Sequence, residues 1–442
     1  MFYGIYRLLT RLLFSLFFPA FLVYVLLSGR HRTGLWQRLG YYGKKNIQRS
    51  DGPTVWLHGA SVGEIKAAEP LLGKLTEIAP SATLVVTTAT EQGFKLARQN
   101  LGEKAVCLIA PLDLPGAANR AIEAIEPDLY ICLETELWPN TLINLRTRGV
   151  ACFLLNARLS EGSFRRYRRF GNFVRQVLSS FSGIAAISNA DAERLVALGA
   201  APERISVSGN IKYDLPPFPE PEMIRQEWQR ALDLRADTPV LVAGSTHGGE
   251  ELLLLKAFRS LQPSLPGLVL ILAPRHLERL GAAQAELDNA GAEYDLLSRV
   301  RKSGRHSEIV VVDTMGELST LYSVATFSFC GGSLVDCGGH NVFEAARWGH
   351  PVFYGPSMND FSDAKEVLET GGGGFQVENI SDLAERIRQL SSSPDLYRRA
   401  AEAARLSATT QNGAVERQLK PVLAALGKMA VNKKIQPASL PA

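Results

Sequence analysis

The sequence predicts an α/β protein made of two doubly wound, parallel-sheet domains, and three observations carry that prediction. Short apolar runs rich in Val, Ile and Leu alternate with amphipathic stretches, as expected for buried parallel strands covered by helices on both faces. A proline-rich segment, Leu215-Pro-Pro-Phe-Pro-Glu-Pro-Glu222, interrupts this alternation, which then begins again. A length of 442 residues suits two domains of about 200 residues each. With 46% hydrophobic and 21% charged residues the chain is globular. Its net charge of +4 is too small to argue for nucleic acid, and the five cysteines show no metal spacing and fit a reducing compartment.

The first fifty residues contain no Asp or Glu but hold Arg7, Arg11, Arg30, Arg32, Arg38, Lys44, Lys45 and Arg49. Within them residues 12–28 are uncharged and apolar, so 1–50 is expected to be a membrane anchor helix with a basic flank. Whether it spans the bilayer or lies in one leaflet stays open. Strands are expected at 54–58, 82–88, 105–110, 128–133, 151–155, 183–187 and 204–207, forming an N-terminal domain over 51–214. A linker over 215–224 leads to strands at 239–243, 267–273, 308–312, 325–330, 351–354 and 374–377 in a C-terminal domain over 225–428. Residues 429–442 are expected to be a polar tail without structure. Two such domains create a cleft, with ligands beyond the carboxyl ends of the strands.

The segments that follow those strands hold the chemistry. His58-Gly-Ala-Ser-Val-Gly-Glu64 places Glu64 at a helix start, which suits a general base, although on these residues alone a capping box with Ser61 is the simpler reading. Glu134 follows a buried strand directly in Leu133-Glu-Thr-Glu-Leu-Trp-Pro-Asn140, where an unpaired carboxylate is costly, so it needs a partner or a task. The run Arg165-Arg166-Tyr-Arg168-Arg169 reads as a solvated helix face or a holder of phosphorylated lipid headgroups. Lys212, in Gly209-Asn-Ile-Lys212-Tyr-Asp, can offer a cation to the cleft or simply pair with Asp214. In the second half, Gly244-Ser-Thr-His247-Gly-Gly-Glu, Pro274-Arg275-His276, Asp313-Thr-Met-Gly-Glu317 and Gly331–Glu344 are four polar loops at one sheet edge. The glycines of the last admit an anion such as phosphate, ahead of a helix start at His340-Asn341, with Glu344 suited to sugar hydroxyls; equally, the loop reads as a plain glycine-rich connection with a capping Asn.

In this order, Ser61-Val-Gly-Glu64, Glu134-Thr-Glu-Leu-Trp-Pro-Asn140, Asn156-Ala-Arg-Leu-Ser160, Pro274-Arg275-His276 and Gly338-Gly-His-Asn-Val-Phe-Glu344 resemble the 3-deoxy-D-manno-octulosonic acid (Kdo) transferases of Gram-negative bacteria. The likeness runs from the N-terminal segment to about residue 425; Val342 and Ala345 depart from it but leave Asn341 and Glu344 intact. It implies the two-domain glycosyltransferase B fold and inverting transfer of Kdo from CMP-Kdo to the lipid A precursor (lipid IVA) at the cytoplasmic face of the inner membrane, beside anionic lipids. It implies Glu64 as the base, with Glu134 and Lys212 supporting the transition state. Pro274, Arg275, Met315, Gly316, Glu317, Asn341, Val342, Phe343 and Glu344 would hold CMP. No cofactor and no metal ion are expected. A transferase using a UDP-sugar and a noncatalytic nucleotide-binding protein are the rival readings.

Overall fold

A computed structural model describes residues 2–28, 34–43, 47–215 and 217–435. The chain forms two compact units: Met1–Asp214 with Gly413–Ala442, and Leu215–Asn412. In the first unit the strands are β1 (Thr54–His58), β2 (Thr83–Thr88), β3 (Val106–Ile109), β4 (Leu129–Leu133), β5 (Ala151–Ala157), β6 (Phe181–Ala186) and β7 (Ile205–Val207). They pair entirely in parallel in the order β3-β2-β1-β4-β5-β6-β7. Every residue of β1, β2 and β4 is buried, because helices such as Val62–Ile78 and Pro115–Ile125 cover the faces. Continuous apolar runs rather than alternating ones are what such burial demands.

The second unit repeats the plan with β8 (Val240–Thr246), β9 (Val269–Pro274), β10 (Asp295–Leu296), β11 (Ile309–Val311), β12 (Phe327–Cys330), β13 (Val352–Tyr354) and β14 (Gly374–Gln376). Their order is β10-β11-β9-β8-β12-β13-β14, again all parallel. In each sheet the winding reverses once, between β1 and β4 and between β8 and β12. In open parallel sheets the loops leaving such a switch point are where ligands bind. Glu64, Glu134, His247 and the 331–344 loop all leave strands at these two points.

Three expected boundaries move. The linker is shorter than 215–224, because Pro221 opens the helix Pro221–Ala231, its missing N–H costing nothing at that position. The second domain does not run to 428. The chain rejoins the first unit at Gly413, where Asp214 accepts the Gly413 and Val415 N–H groups at 2.7 Å each. The final helix, Ala414–Ile435, buries Val415, Leu419 and Val422 in the first unit's core, so the part of the expected tail up to 435 is helical; 436–442 lie outside the described residues.

The N-terminal segment is a helix, Phe2–Ser28, with Pro19 inside it. Its first turns dock on the first unit: the Tyr6 hydroxyl donates to Asp113 Oδ2 (3.0 Å) and its ring lies 5.3 Å from that of Phe173. Leu8, Leu9, Leu12, Leu13, Leu16 and Phe17 remain exposed. Among the described residues no helix is long and apolar enough to cross a membrane. Arg30, Arg32, Lys44 and Lys45 of the expected basic flank lie outside the described residues.

Candidate active site

In the first unit the turn after β1 settles how Glu64 is both cap and candidate base. Ser61 caps the helix Val62–Ile78 and its hydroxyl donates to Glu64 Oε1 (2.8 Å), while the Ala60 N–H donates to Oε2 (2.6 Å). These bonds tie the side chain back onto the turn that opens its helix, as in a capping box, and they fix the carboxylate in one rotamer. Glu64 is 5% exposed, and burial, reinforced by the neighbouring Glu134, pushes its carboxyl up to about 7. The bonds from Ala60 and Ser61 oppose that rise but do not cancel it. A carboxylate with that proton affinity is matched to general-base work near neutral pH.

Glu134 does have a partner. It stands at φ +54° at the end of β4, in the left-handed region that non-glycine residues seldom adopt. There its Oε1 accepts from Lys212 Nζ at 2.6 Å. That ammonium also passes Gly63, whose added Cβ would lie 3.7 Å from it. Lys212 does not pair with Asp214, which holds Gly413 and Val415 instead. The Lys212 turn, Ile211–Tyr213, is fixed from three sides. Asn210 accepts the Lys212 N–H (3.0 Å) and Asn156 Oδ1 accepts the Ile211 N–H (3.0 Å). Gln418 accepts the Asn156 N–H (2.7 Å) and donates to the Gly209 carbonyl (2.7 Å). Asn156, itself at φ +53°, is thus a brace for Lys212.

The end of the 134–140 string anchors the helix that follows it. Asn140 and Thr141 donate their N–H groups to the buried carboxylate of Asp113 (2.9 Å each), anchoring the helix Pro139–Thr147. Of the basic run, Arg165 pairs with Glu161 (3.0 Å), while Arg166, Arg168 and Arg169 are exposed.

In the second unit the glycine loop departs from the anion-cradle reading and agrees with the connection reading. Glu250, fully buried at the start of the helix Glu250–Leu261, accepts the N–H groups of Gly332 (2.7 Å), Ser333 (3.1 Å), Leu334 (3.0 Å) and His247 (2.9 Å). The anion these amides attract is the chain's own carboxylate. Gly331 has no room for a side chain, since a Cβ would sit 2.4 Å from the Ser245 carbonyl oxygen. The helix expected to open at 340–341 is a single turn, Phe343–Ala346, and just ahead of it Asn341 Oδ1 accepts the Phe343 N–H (3.1 Å). Val342 and Phe343 point into the core, leaving only their backbone to a ligand. Burial raises the Glu344 carboxyl against the pull of Arg275 and Arg347.

Pro274 ends β9, and Arg275, exposed beyond it, donates its backbone N–H to the Thr246 carbonyl (3.0 Å), tying the β8 and β9 loops together. Because that bond is between backbones, the guanidinium stays available at the sheet edge. Met315 is 70% exposed and Gly316 turns at φ +86°. Glu317 is engaged by Arg301 (2.5 Å) and by the Thr314 hydroxyl. Among the described residues no group of three or more His, Cys, Asp or Glu is placed to hold a metal ion.

The family model described as 3-deoxy-D-manno-octulosonic-acid transferase matches residues 33–215. The Kdo transferase of Haemophilus influenzae is 33% identical over 400 residues, covering 90% of this chain and 93% of its own. The chain belongs to the Kdo transferase family. The Bordetella pertussis member is 30% identical, over 94% of this chain and 97% of that one. A glycosyltransferase from Rickettsia africae, 15% identical, superposes with a TM-score of 0.53 over 86% of this chain and 100% of its own, which shows the shared fold. This Kdo transferase is therefore a glycosyltransferase built from two parallel-sheet α/β units of the glycosyltransferase B kind.

Within one unit the structure brings together Glu64, Glu134 and Lys212; within the other, Arg275 lies close enough to Glu344 to lower its carboxyl. Sequence reasoning placed Glu250 in a polar loop without giving it a role, and missed Gln418 and Asp113. Glu250 left a signal, an acid directly after Gly248-Gly249. Gln418 left none, being one polar residue on a long helix 262 positions from Asn156.

Proposed function

We propose that this Kdo transferase moves Kdo from CMP-Kdo to the lipid A precursor (lipid IVA) with inversion, releasing CMP. The observation that carries the reading is Glu64: a buried, rotamer-locked carboxylate with its proton affinity raised to about 7, beside the Glu134–Lys212 pair. As base, ionised Glu64 takes the proton of an acceptor hydroxyl while that oxygen attacks the anomeric carbon. The bond from this carbon to the phosphate oxygen breaks, and its electron pair leaves with CMP. Lys212 balances the charge of Glu134 beside the base, so that two carboxylates can stand near each other.

On the donor side, Arg275 is assigned to the phosphate, where negative charge grows as CMP departs. Glu344 is assigned to the ribose hydroxyls. The backbones of Pro274, Asn341, Val342 and Phe343, with the Met315-Gly316-Glu317 turn, are assigned to the rest of CMP. No step is given to a metal or cofactor, and a chelator should leave the rate unchanged. The exposed apolar stripe from Leu8 to Phe17, with Arg7 and Arg11 on the same helix, supports seating on the anionic inner membrane at its cytoplasmic face.

Mass spectrometry of lipid products, after incubation with CMP-Kdo and vesicles carrying tetra-acylated lipid A precursor, tests the proposal. A product heavier by Kdo is expected, with none from UDP-sugars; transfer from a UDP-sugar would overturn the donor assignment. Protein left unbound by those vesicles would overturn the membrane seating.

A further inference from the structure

The second unit holds a group of imidazoles to which the reading above gives no task. His247 follows β8 and His340 follows β12, on the two sides of the switch point. Their Nε2 atoms are 3.0 Å apart, with ring centroids 5.2 Å apart and planes 15° from parallel, so the two rings meet edge to edge through these nitrogens. A hydrogen bond there needs one Nε2–H and one bare Nε2, so two neutral rings in opposite tautomers satisfy it. Gly332 packs against both, and a Cβ at that position would lie 3.2 Å from each ring. His276 meets His247 edge-on at 5.8 Å.

The charged groups around the pair come from every neighbouring loop. Glu250 accepts the His247 backbone N–H; Arg275 and Arg279 follow β9, with the Arg279 guanidinium beside Gly248; Glu344 lies where Arg275 lowers its carboxyl. Burial first, then Arg275, depresses His340 to about 4. Burial lowers His247 as well, with Glu250 opposing. Empty, the pair is therefore neutral at neutral pH. An anion added beside it reverses that balance, because a nearby negative charge favours imidazolium.

We propose that the His247–His340 pair and Arg275 form one anion site that binds a phosphate monoester together with a proton taken from solvent. This rests on the donor half of the function proposed above and adds two residues to it. The proton enters at the Nδ1 of the ring that donates its Nε2–H. The imidazolium formed keeps the Nε2–H···Nε2 bond, which becomes charge-assisted and stronger. No bond within the ligand changes. A phosphate monoester carries close to two negative charges at neutral pH, so Arg275 alone leaves one unbalanced, and the imidazolium meets it.

The test is calorimetric titration of CMP into the full chain near neutral pH, in two buffers of different ionisation enthalpy. The difference in heat should correspond to about one proton taken up per CMP by the wild type. It should fall to near zero in folded His247→Gln and His340→Gln, with affinity about tenfold weaker. Wild-type affinity, which needs no variant, should fall roughly tenfold per pH unit between the value of the free pair and the higher value of the complex, and level off above it, since the proton binds more tightly in the complex than in the free protein. CMP binding with no proton uptake and a flat pH profile overturns the pair and leaves the donor site standing. Uptake that persists in the folded variants puts the proton on the phosphate and equally overturns it. A chain that does not bind CMP at all overturns the donor reading as well.

Discussion

At the scale of residues, Glu64 shows that capping and catalysis are compatible demands on one carboxylate. The bonds from Ala60 and Ser61 at the start of the helix also aim the group, and burial keeps its proton affinity high. The local residues named both roles and favoured the cap, because what raises the proton affinity is burial, which a turn of small residues does not disclose. An ionised Glu64 should cost stability. Its folded value of about 7 lies above the ordinary 4.5, so the cost is absent below the ordinary value, grows as pH rises between the two, and is constant above the higher one. That difference corresponds to about 3 kcal/mol. Glu64→Gln keeps an acceptor for Ala60 and removes the charge. Its melting temperature should exceed that of the wild type at alkaline pH and match it at about pH 4. Transfer should fall by about 100-fold or more, and its rise with pH through about 7 should vanish. A variant that keeps this rise in its rate profile shows that the base is another group.

At the scale of elements, the parallel strands were legible because most are short apolar runs set between amphipathic helical stretches. The exception is β10, two residues at a sheet edge, too short to leave a pattern. The glycine loop was legible as an anion cradle but not as an occupied one. Four N–H groups converging on Glu250 make that carboxylate the pin between β8 and β12, which hold the two histidines and the 331–344 loop. Glu250→Ala should lower the stability of the second unit by about 3 kcal/mol, since buried amides lose a charged acceptor. Urea unfolding would read that loss, and it should be accompanied by weaker CMP binding. Unchanged stability would mean that the amides find another partner and that Glu250 is no pin.

At the scale of the whole molecule, the chain does not divide at one point. It leaves the first unit at Asp214 and returns at Gly413, and the last helix supplies both core and polar support to the first sheet. Nothing in its amphipathic pattern distinguishes a helix that ends the second domain from one that crosses back, which is why the expected boundary at 428 fell too late. The return has a functional consequence through Gln418. Its amide holds Asn156 and Gly209, and these hold the turn that presents Lys212 to Glu134. Gln418→Ala should leave the buried Asn156 N–H without its acceptor, costing about 2 kcal/mol. Because Arg275 and Glu344 belong to the other unit, CMP affinity should be unaffected. Lys212 should lose its fixed position, and turnover should fall about tenfold with little change in the KM for CMP-Kdo. A fall in CMP affinity as large as the fall in turnover would show that the last helix supports the donor residues as well, and that the division between the two units is not a division of labour.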